Sequence, residues 1–436
     1  MALTGRTALI AALGTLVVGL LLPGWHGIAA VGLPLLAAVL ADVAAAAPVR
    51  SLALSRSGAT SVRLHEEAAV TLTLANPSRR ALRADVRDAW PPSAWPREAA
   101  WDASRHRVTV PAGERRRLTT VLRPTRRGDR TALRITVRSY GPLGLAARQG
   151  SHAVPWTVRV LPPFTSRKHL PAKLARLREL DGRTTVLLRG EGTEFDSLRD
   201  YVPGDDVRSI DWRATARQST VAVRTWRPER DRHLLLILDT GRTSAGRVGD
   251  VPRLDAAMDA ALLLTALASH AGDRVDLMAY DRRIRATVRG RTGKDVLPAV
   301  VQSLSTLEPA LIETDTRGLA SAALDSAPHR SLLVLFTGLD TGPVESGLLP
   351  MLPRLTRRHT VLLAAVGDPR IREMARTRGT VPGVYEAAAA ATHEAERRRA
   401  IERIRRMGVT VVEAPPEELP PAVADAYLAL KSAGRL

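Results

Sequence analysis

Two places in this chain of 436 residues carry side chains whose types and spacing could do chemistry. The first is RDYVPGDDVRSIDWRATAR, Arg199–Arg217, where four aspartates and four arginines share nineteen residues with a Pro-Gly turn. Asp205 and Asp206 follow that turn, a setting in which aspartate side chains bond nearby backbone N–H groups. Arg208, Asp211, Arg213 and Arg217 are spaced to satisfy one another in bidentate pairs, and Trp212 offers one large apolar anchor. Two readings follow: a latch that fixes the segment to its own domain, or a charged docking surface that a partner reads. The latch is the expectation, with Trp212 buried. The second place is Asp239, which closes the apolar run HLLLILDT. In open α/β sheets ligands sit outside the carboxyl ends of strands, and Asp239 stands at such an end.

Other chemistries find no constellation. There is no Cys, hence no disulfide, thiolate metal site or thiol nucleophile. GRTGK at Gly290–Lys294 lacks the spacing of a phosphate loop, HEEAA and HEAER offer one His each, and no nucleophile elbow G-x-S-x-G occurs. No catalytic residue is therefore expected, and the chain reads as a non-enzyme. The net charge is +20, carried almost wholly by Arg, and residues 49–165 hold 21 Arg against eight Asp and Glu. No aromatic-interleaved basic face or zinc-finger spacing accompanies that charge, so nucleic acid is not an expected partner.

The elements that would position these residues fall into four parts. Residues 1–48 hold two apolar runs, Thr7–Leu22 and Ile28–Ala47, separated by PGWHG. They read as a helical hairpin (about 7–22 and 28–47) crossing the lipid bilayer twice, each near the ~20 residues a span needs. Arg6 precedes the first run, Arg50 and Arg56 follow the second, and the connection has no Lys or Arg. That asymmetry places both ends in the cytoplasm, with Asp42 near the inner end, within reach of headgroups. A signal peptide ending at Ala44–Ala47 is the competing reading; it would place the later domains outside. Residues 49–161 alternate with period two between Pro and Gly turns, the pattern of an antiparallel β-sandwich. The RGD at Arg127–Asp129 fits a polar turn there. Residues 162–190 form a linker with a short amphipathic helix, Pro171–Asp181. Residues 191–436 alternate apolar strands with helices, which implies a doubly wound, mostly parallel α/β sheet.

Taken together, RGEGTEF (with Glu194 and Phe195), RDYVPGDD (Arg199, Asp200, Tyr201, Gly204, Asp205, Asp206) and RSIDWRATAR (Arg208, Asp211, Trp212, Arg213, Arg217) resemble the signature of the family called domain of unknown function 58. RRGDRTALRITVRSYGPLGLAARQ is similar to its upstream β-region, so the resemblance covers nearly the whole chain. It implies two N-terminal membrane helices, a β-sandwich and a von Willebrand factor type A-like domain. It also implies association with a MoxR-type AAA+ ATPase, and hence a membrane-anchored cytoplasmic adaptor or scaffold in protein assembly or maturation. The alternative is an extracellular metal-dependent adhesion or ligand-binding module. Type A domains often hold Mg²⁺ through D-x-S-x-S, a distant Thr and a distant Asp. Here that pattern reads DTGRT, with Asp239 and Thr243 in place and Gly241 for the first Ser. Thr314 or Thr316 would be the distant Thr. Thr337-Gly338 replaces the later Ser-Asp, unless Asp340 reaches back. The expected metal site is degenerate, with Mg²⁺ weak or absent.

Overall fold

The computed structural model describes the chain except residues 97, 99–103, 188–193, 204, 219, 228–231, 250 and 378; side chains at 181–187, 194–197, 218, 225–227 and 341 also fall outside the description. The chain divides into two units, Met1–Pro163 and Phe164–Leu436.

In the first unit, the N-terminal runs form helices Gly5–Leu21 and Trp25–Ala45. The second is 21 residues long with a mean hydropathy of 2.2, long and apolar enough to cross a membrane; the first is apolar but shorter. Leu9, Leu13, Leu16, Leu33, Leu36 and Leu40 point outward. Asp42 departs from its expected place. It is buried, and its carboxylate accepts from the N–H groups of Leu143 (2.8 Å), Leu145 (2.7 Å) and Ala146 (2.9 Å). The reason is local: three backbone donors of one tight turn converge on a single acceptor, and a buried carboxylate needs such donors. A Cβ on Gly141 would collide with that carboxylate, so only glycine fits there.

The rest of this unit is sheet. Ala146–Ala153, Arg134–Tyr140, Leu82–Asp88 and Arg105–Val110 pair antiparallel in that order, with Ala2–Leu3 on the edge. Ala53–Gly58, Ala68–Ala75 and Arg115–Leu122 form a second antiparallel sheet. A third holds Thr157–Leu161 between Gly128–Thr131 and Ser61–Arg63, the last of these parallel to it. Strand alternation builds the core: Leu72 and Leu74 from one sheet meet Leu82, Ala84, Val86, Ile135 and Val137 from another. Inside it Arg56 pairs with Asp88, both side chains fully buried, and Trp90 Nε1 and Thr120 Oγ1 also donate to Asp88. The RGD is not a free turn. Arg127 is buried, Gly128 opens a strand, and Asp129 holds Arg159 through two bonds of 2.8 and 3.0 Å.

The second unit is built on a six-stranded sheet in the order Ile284–Val288, Arg274–Tyr280, His233–Asp239, Leu332–Phe336, Thr360–Val366, Thr410–Ala414. All neighbours are parallel except the Ile284–Val288 edge strand. Leu234 to Leu238 are wholly buried, as a strand covered on both faces requires. Leu235 and Ile237 face Leu319, Leu352, Ile401 and Ile404 of helices Thr316–Ser326, Leu349–Thr356 and Val381–Arg406. The other face takes Arg253–His270, itself packed against Leu419–Ser432. From Phe164 to Leu187 the stretch expected as a linker belongs to this body. Thr165 Oγ1 and Ser166 N–H bond Asp259, the helix runs Leu170–Leu187, and Lys173 pairs with Asp425 at 2.7 Å.

Candidate binding site at the carboxyl edge of the sheet

Counted along the chain, the first and fourth strands of the sheet are neighbours, so strand order reverses between His233–Asp239 and Leu332–Phe336. Open α/β sheets form a crevice at such a reversal, because the flanking connections leave toward opposite faces. Asp239 lies at that point. Its Oδ1 accepts from Gly241 N–H at 2.8 Å and Thr314 Oγ1 at 2.5 Å; its Oδ2 accepts from Thr243 Oγ1 at 3.0 Å and Thr337 Oγ1 at 2.6 Å. Asp239 is 4% exposed. Thr243 comes from the turn Arg242–Ala245, Thr314 from the loop before Thr316–Ser326, and Thr337 from the residue after Leu332–Phe336. Of the two threonines open in the sequence, Thr314 is the one at Asp239; Thr316 stands against Gly347.

Asp281 and Asp340 also lie at this edge, and each has an arginine; Asp315, whose N–H bonds Asp281 O, is exposed and caps its own helix through the N–H groups of Arg317 and Gly318. Asp281 Oδ2 pairs with Arg285 at 2.8 Å, and Asp340 Oδ2 with Arg253 at 3.0 Å. Burial pushes the Asp281 pKa up, but the N–H groups of Arg282 and Arg283 and the Arg285 guanidinium outweigh it and hold the pKa below the usual carboxylate value. Asp239 has no ion-pair partner among the described residues. Asp340, held by Arg253, does not complete the set implied for Mg²⁺. Gly241 cannot be the missing Ser without movement: a Cβ there would collide with Thr314 Oγ1 and stand 2.9 Å from Ile312 O. One carboxylate and three neutral hydroxyls, each already donating to that carboxylate, do not fit the set in which a type A domain holds a hard divalent ion.

The cluster opens on a cavity of about 440 Å³. Thr243, Thr314 and Thr337 line its end at Asp239, Thr316 and Ser346 add further hydroxyls, and Leu319, Leu335, Val344, Leu348 and Met351 supply apolar wall. Arg242 and Glu313, paired at 2.9 Å and exposed, stand at its rim.

The Arg199–Arg217 segment is organised differently from the expected latch. Glu194–Asp200 and Ala222–Arg227 form an antiparallel pair; Glu194 and Phe195 lie on it with side chains outside the described residues, as is Gly204 altogether. The aspartates serve turns and caps. Asp205 accepts from Val202 N–H (2.9 Å) and Arg199 (2.5 Å), Asp206 from Arg208 N–H (3.0 Å), and Asp211 from Arg213 N–H and Ala214 N–H (both 3.0 Å) and Arg224 (2.8 Å). Asp211 is held below the ordinary carboxylate pKa by the Ala214 N–H and the Arg224 guanidinium, and Asp205 by Arg199 and the Val202 N–H. Asp200 accepts from Thr220 Oγ1 at 3.4 Å, and Tyr201 N–H bonds Val221 O at 2.8 Å. The mutual pairing expected of Arg208, Asp211, Arg213 and Arg217 does not form; Arg224, not foreseen, takes Asp211. Trp212 is no buried anchor. It is 69% exposed, alongside exposed Val202 and Val207. The N-cap geometry that places Asp211 inward turns its neighbour outward.

Residues 197–410 match the family described as "Protein of unknown function DUF58". The match covers 214 of the 436 residues. Uncharacterized proteins of Mycobacterium bovis (Mb1516) and Mycobacterium tuberculosis (Rv1480) are 29% identical over 199 residues, 45% of this chain and 61% of theirs. The chain thus spans less than two thirds of the curated relatives it matches. Among solved structures, the CARDB domain of the PF1109 protein from Pyrococcus furiosus, solved in complex with di-metal ions, is 16% identical and aligns over 25% of this chain and 87% of its own, with a TM-score of 0.19. A beta-glucosidase from Listeria innocua aligns over 24% of this chain and 16% of its own, at 16% identity and a TM-score of 0.14. Scores that low support no statement about fold or ligand. The DUF58 stretch holds Asp239, Thr243, Thr314 and Thr337 together with the segment up to Arg217, while Glu194 and Phe195 precede it. Thr337 stands at the Ser position of the pattern's later Ser-Asp, whose Asp is lost at Gly338, and is not among the site residues expected from the sequence. A hydroxyl following a buried strand beside the Asp239 strand is the signal that would have placed it.

Proposed function

We propose that this protein is a membrane-anchored, non-enzymatic adaptor that works with a MoxR-type AAA+ ATPase in protein assembly or maturation. In this reading the N-terminal helices cross the bilayer twice, the β-rich part is a sandwich, and the C-terminal body is a von Willebrand factor type A-like interaction domain in the cytoplasm. The observation that carries it is the Asp239 site: a buried carboxylate ringed by hydroxyls at the reversal of strand order, opening on a largely apolar cavity. That is the form of a binding site, with shape and one fixed charge. Trp212, Val202 and Val207 are exposed, and with Arg208 and Arg213 in the same short segment they offer side chains suited to protein contact. The ATPase partner rests on the family resemblance, and the topology on the Arg flanks.

The test is co-expression of the tagged full-length chain with the ATPase, purification in mild detergent and measurement of ATP turnover. Co-purification and a changed turnover are expected, both reduced by Trp212→Ala or Asp239→Asn. An ATPase that neither binds the chain nor responds to it refutes the adaptor reading. Reporter fusions at residue 26 and at the C-terminus test the topology; an externally active C-terminal fusion refutes it.

A further inference from the structure

We propose that the Asp239 cavity takes a primary ammonium group on an apolar stem, the side chain of a lysine presented by a partner protein. This rests on reading the cavity as a binding site, and it names the chemistry bound.

The argument starts from the hydrogen-bond inventory. A carboxylate has about four lone-pair sites, and those of Asp239 are taken by Gly241 N–H and the hydroxyls of Thr243, Thr314 and Thr337. Each hydroxyl has used its one proton on Asp239, so each turns only acceptor capacity toward anything else. All three threonines line the cavity. A group that reaches the Asp239 end therefore meets three acceptors with a negative charge behind them. An ammonium brings three donors and a positive charge. A carboxylate or phosphate would bring only acceptors; a hydroxyl could turn to it only by abandoning a buried charge.

The pairing of the carboxylates nearest the cluster agrees. Asp281 and Asp340 are neutralised by Arg285 and Arg253, whereas Asp239 has no cation among the described residues. A buried carboxylate without one is the costly state, and an entering cation relieves it. The apolar walls, Leu319, Leu335, Val344, Leu348 and Met351, suit the methylenes of a lysine stem, which packs on apolar surface while its head stays polar. The volume of about 440 Å³ falls in the roughly 300–1,000 Å³ range of ligand pockets.

The experiment uses the full-length chain in detergent, titrated by calorimetry and by thermal shift. The probes are n-butylammonium, tetramethylammonium, n-butyrate with and without Mg²⁺, and Mg²⁺ alone. Saturable binding of n-butylammonium is expected, with little or none of tetramethylammonium, which has the charge but no donor. Asp239→Asn should weaken n-butylammonium by at least roughly tenfold, the scale of a lost charged acceptor. Gly342→Leu guards against a variant that fails to fold. Gly342 lines the cavity, and a Cβ there meets nothing within 4 Å, so the new side chain should block entry while leaving the Asp239 cluster intact. Equal binding of the two cations, binding of butyrate that depends on Mg²⁺, tight Mg²⁺ binding without n-butylammonium binding, or no binding at all would each overturn the proposal. None of these results depends on the ATPase, so the adaptor reading and this one fail separately.

Discussion

Gly241→Ala tests the geometry of the Asp239 cluster directly. The backbone there is at φ −79°, a conformation that alanine adopts freely, so any cost must come from contact rather than torsion. The new methyl would collide with Thr314 Oγ1, lie 2.9 Å from Ile312 O and 3.2 Å from Asp239 Oδ1. Ile312 O cannot easily withdraw, because it accepts Arg242 N–H at 2.7 Å. Thr314 must therefore turn away and lose its bond to Asp239. A hydrogen bond to a charged group contributes about 1.5–3 kcal/mol, and overpacking adds about 1–3 kcal/mol. A net loss of about 3 kcal/mol, at roughly 2–4 °C per kcal/mol for a body of this size, lowers Tm by roughly 6–12 °C. Circular-dichroism melting of the full chain reads this from the transition of the second unit. Thr314→Ala makes the measurement specific. It removes the colliding oxygen and the same hydrogen bond, so the double variant should cost less than the sum of the singles. A Gly241→Ala protein that melts like the parent, or single costs that simply add, would refute the packing described.

Three further outcomes are expected. Asp88→Ala strands the buried Arg56 guanidinium and should destabilise the first unit by about 3–5 kcal/mol, with partial recovery in Arg56→Met/Asp88→Ala, measured by denaturant unfolding. Trp212→Ala should leave stability within about 0.5 kcal/mol of the parent, since the indole is 69% exposed, while weakening partner association; a large loss of Tm would restore the latch. His359 is buried with neither ring nitrogen bonded, and burial, Arg358 and His233 lower its pKa. Between that lowered value and the ordinary 6.5 the unfolded chain binds the extra proton, so stability should fall as pH drops below about 6.5, and His359→Phe should flatten that slope in melts at a series of pH values.

Periodicity reached some of this and could not reach the remainder. The Leu234–Leu238 run is legible because a strand buried on both faces has no polar alternation to hide it. Asp239 is legible because it ends that run. Thr314 and Thr337 are 75 and 98 residues from Asp239; periodicity names neither, the family resemblance leaves Thr314 open beside Thr316, and the strand order brings both to Asp239. Asp42 failed for the same reason: its three donors lie more than 100 residues away, and nothing near it in sequence names them. The Val381–Arg406 helix escaped notice because its inner face is partly alanine, as at Ala387, Ala390 and Ala400, which weighs little in an apolar pattern. Trp212 misled in the opposite direction. A tryptophan among charges reads as an anchor, yet its place beside a capping Asp211 at the start of a short helix turns it to solvent.

Asp239, Asp281 and Asp340, all at the carboxyl edge of the sheet, differ in how their charge is met, and that difference bears on what the edge can do. Asp281 and Asp340 are paired with arginines of their own body, so their fields are largely cancelled before a partner arrives. Asp239 is met by dipoles alone, which stabilise the carboxylate without cancelling its charge. The two glycines of the degenerate pattern preserve that state. Gly241 leaves room for Thr314 to reach Asp239, and a Cβ on Gly338 would stand 3.0 Å from Thr243 Cβ and 3.4 Å from Asp340 Oδ2. A serine at the first position would displace a hydroxyl, and an aspartate at the second would add a like charge next to Asp340. The departures from the metal-binding pattern are thus mutually consistent: each keeps one uncancelled carboxylate behind a ring of acceptors, and that arrangement selects a positively charged donor.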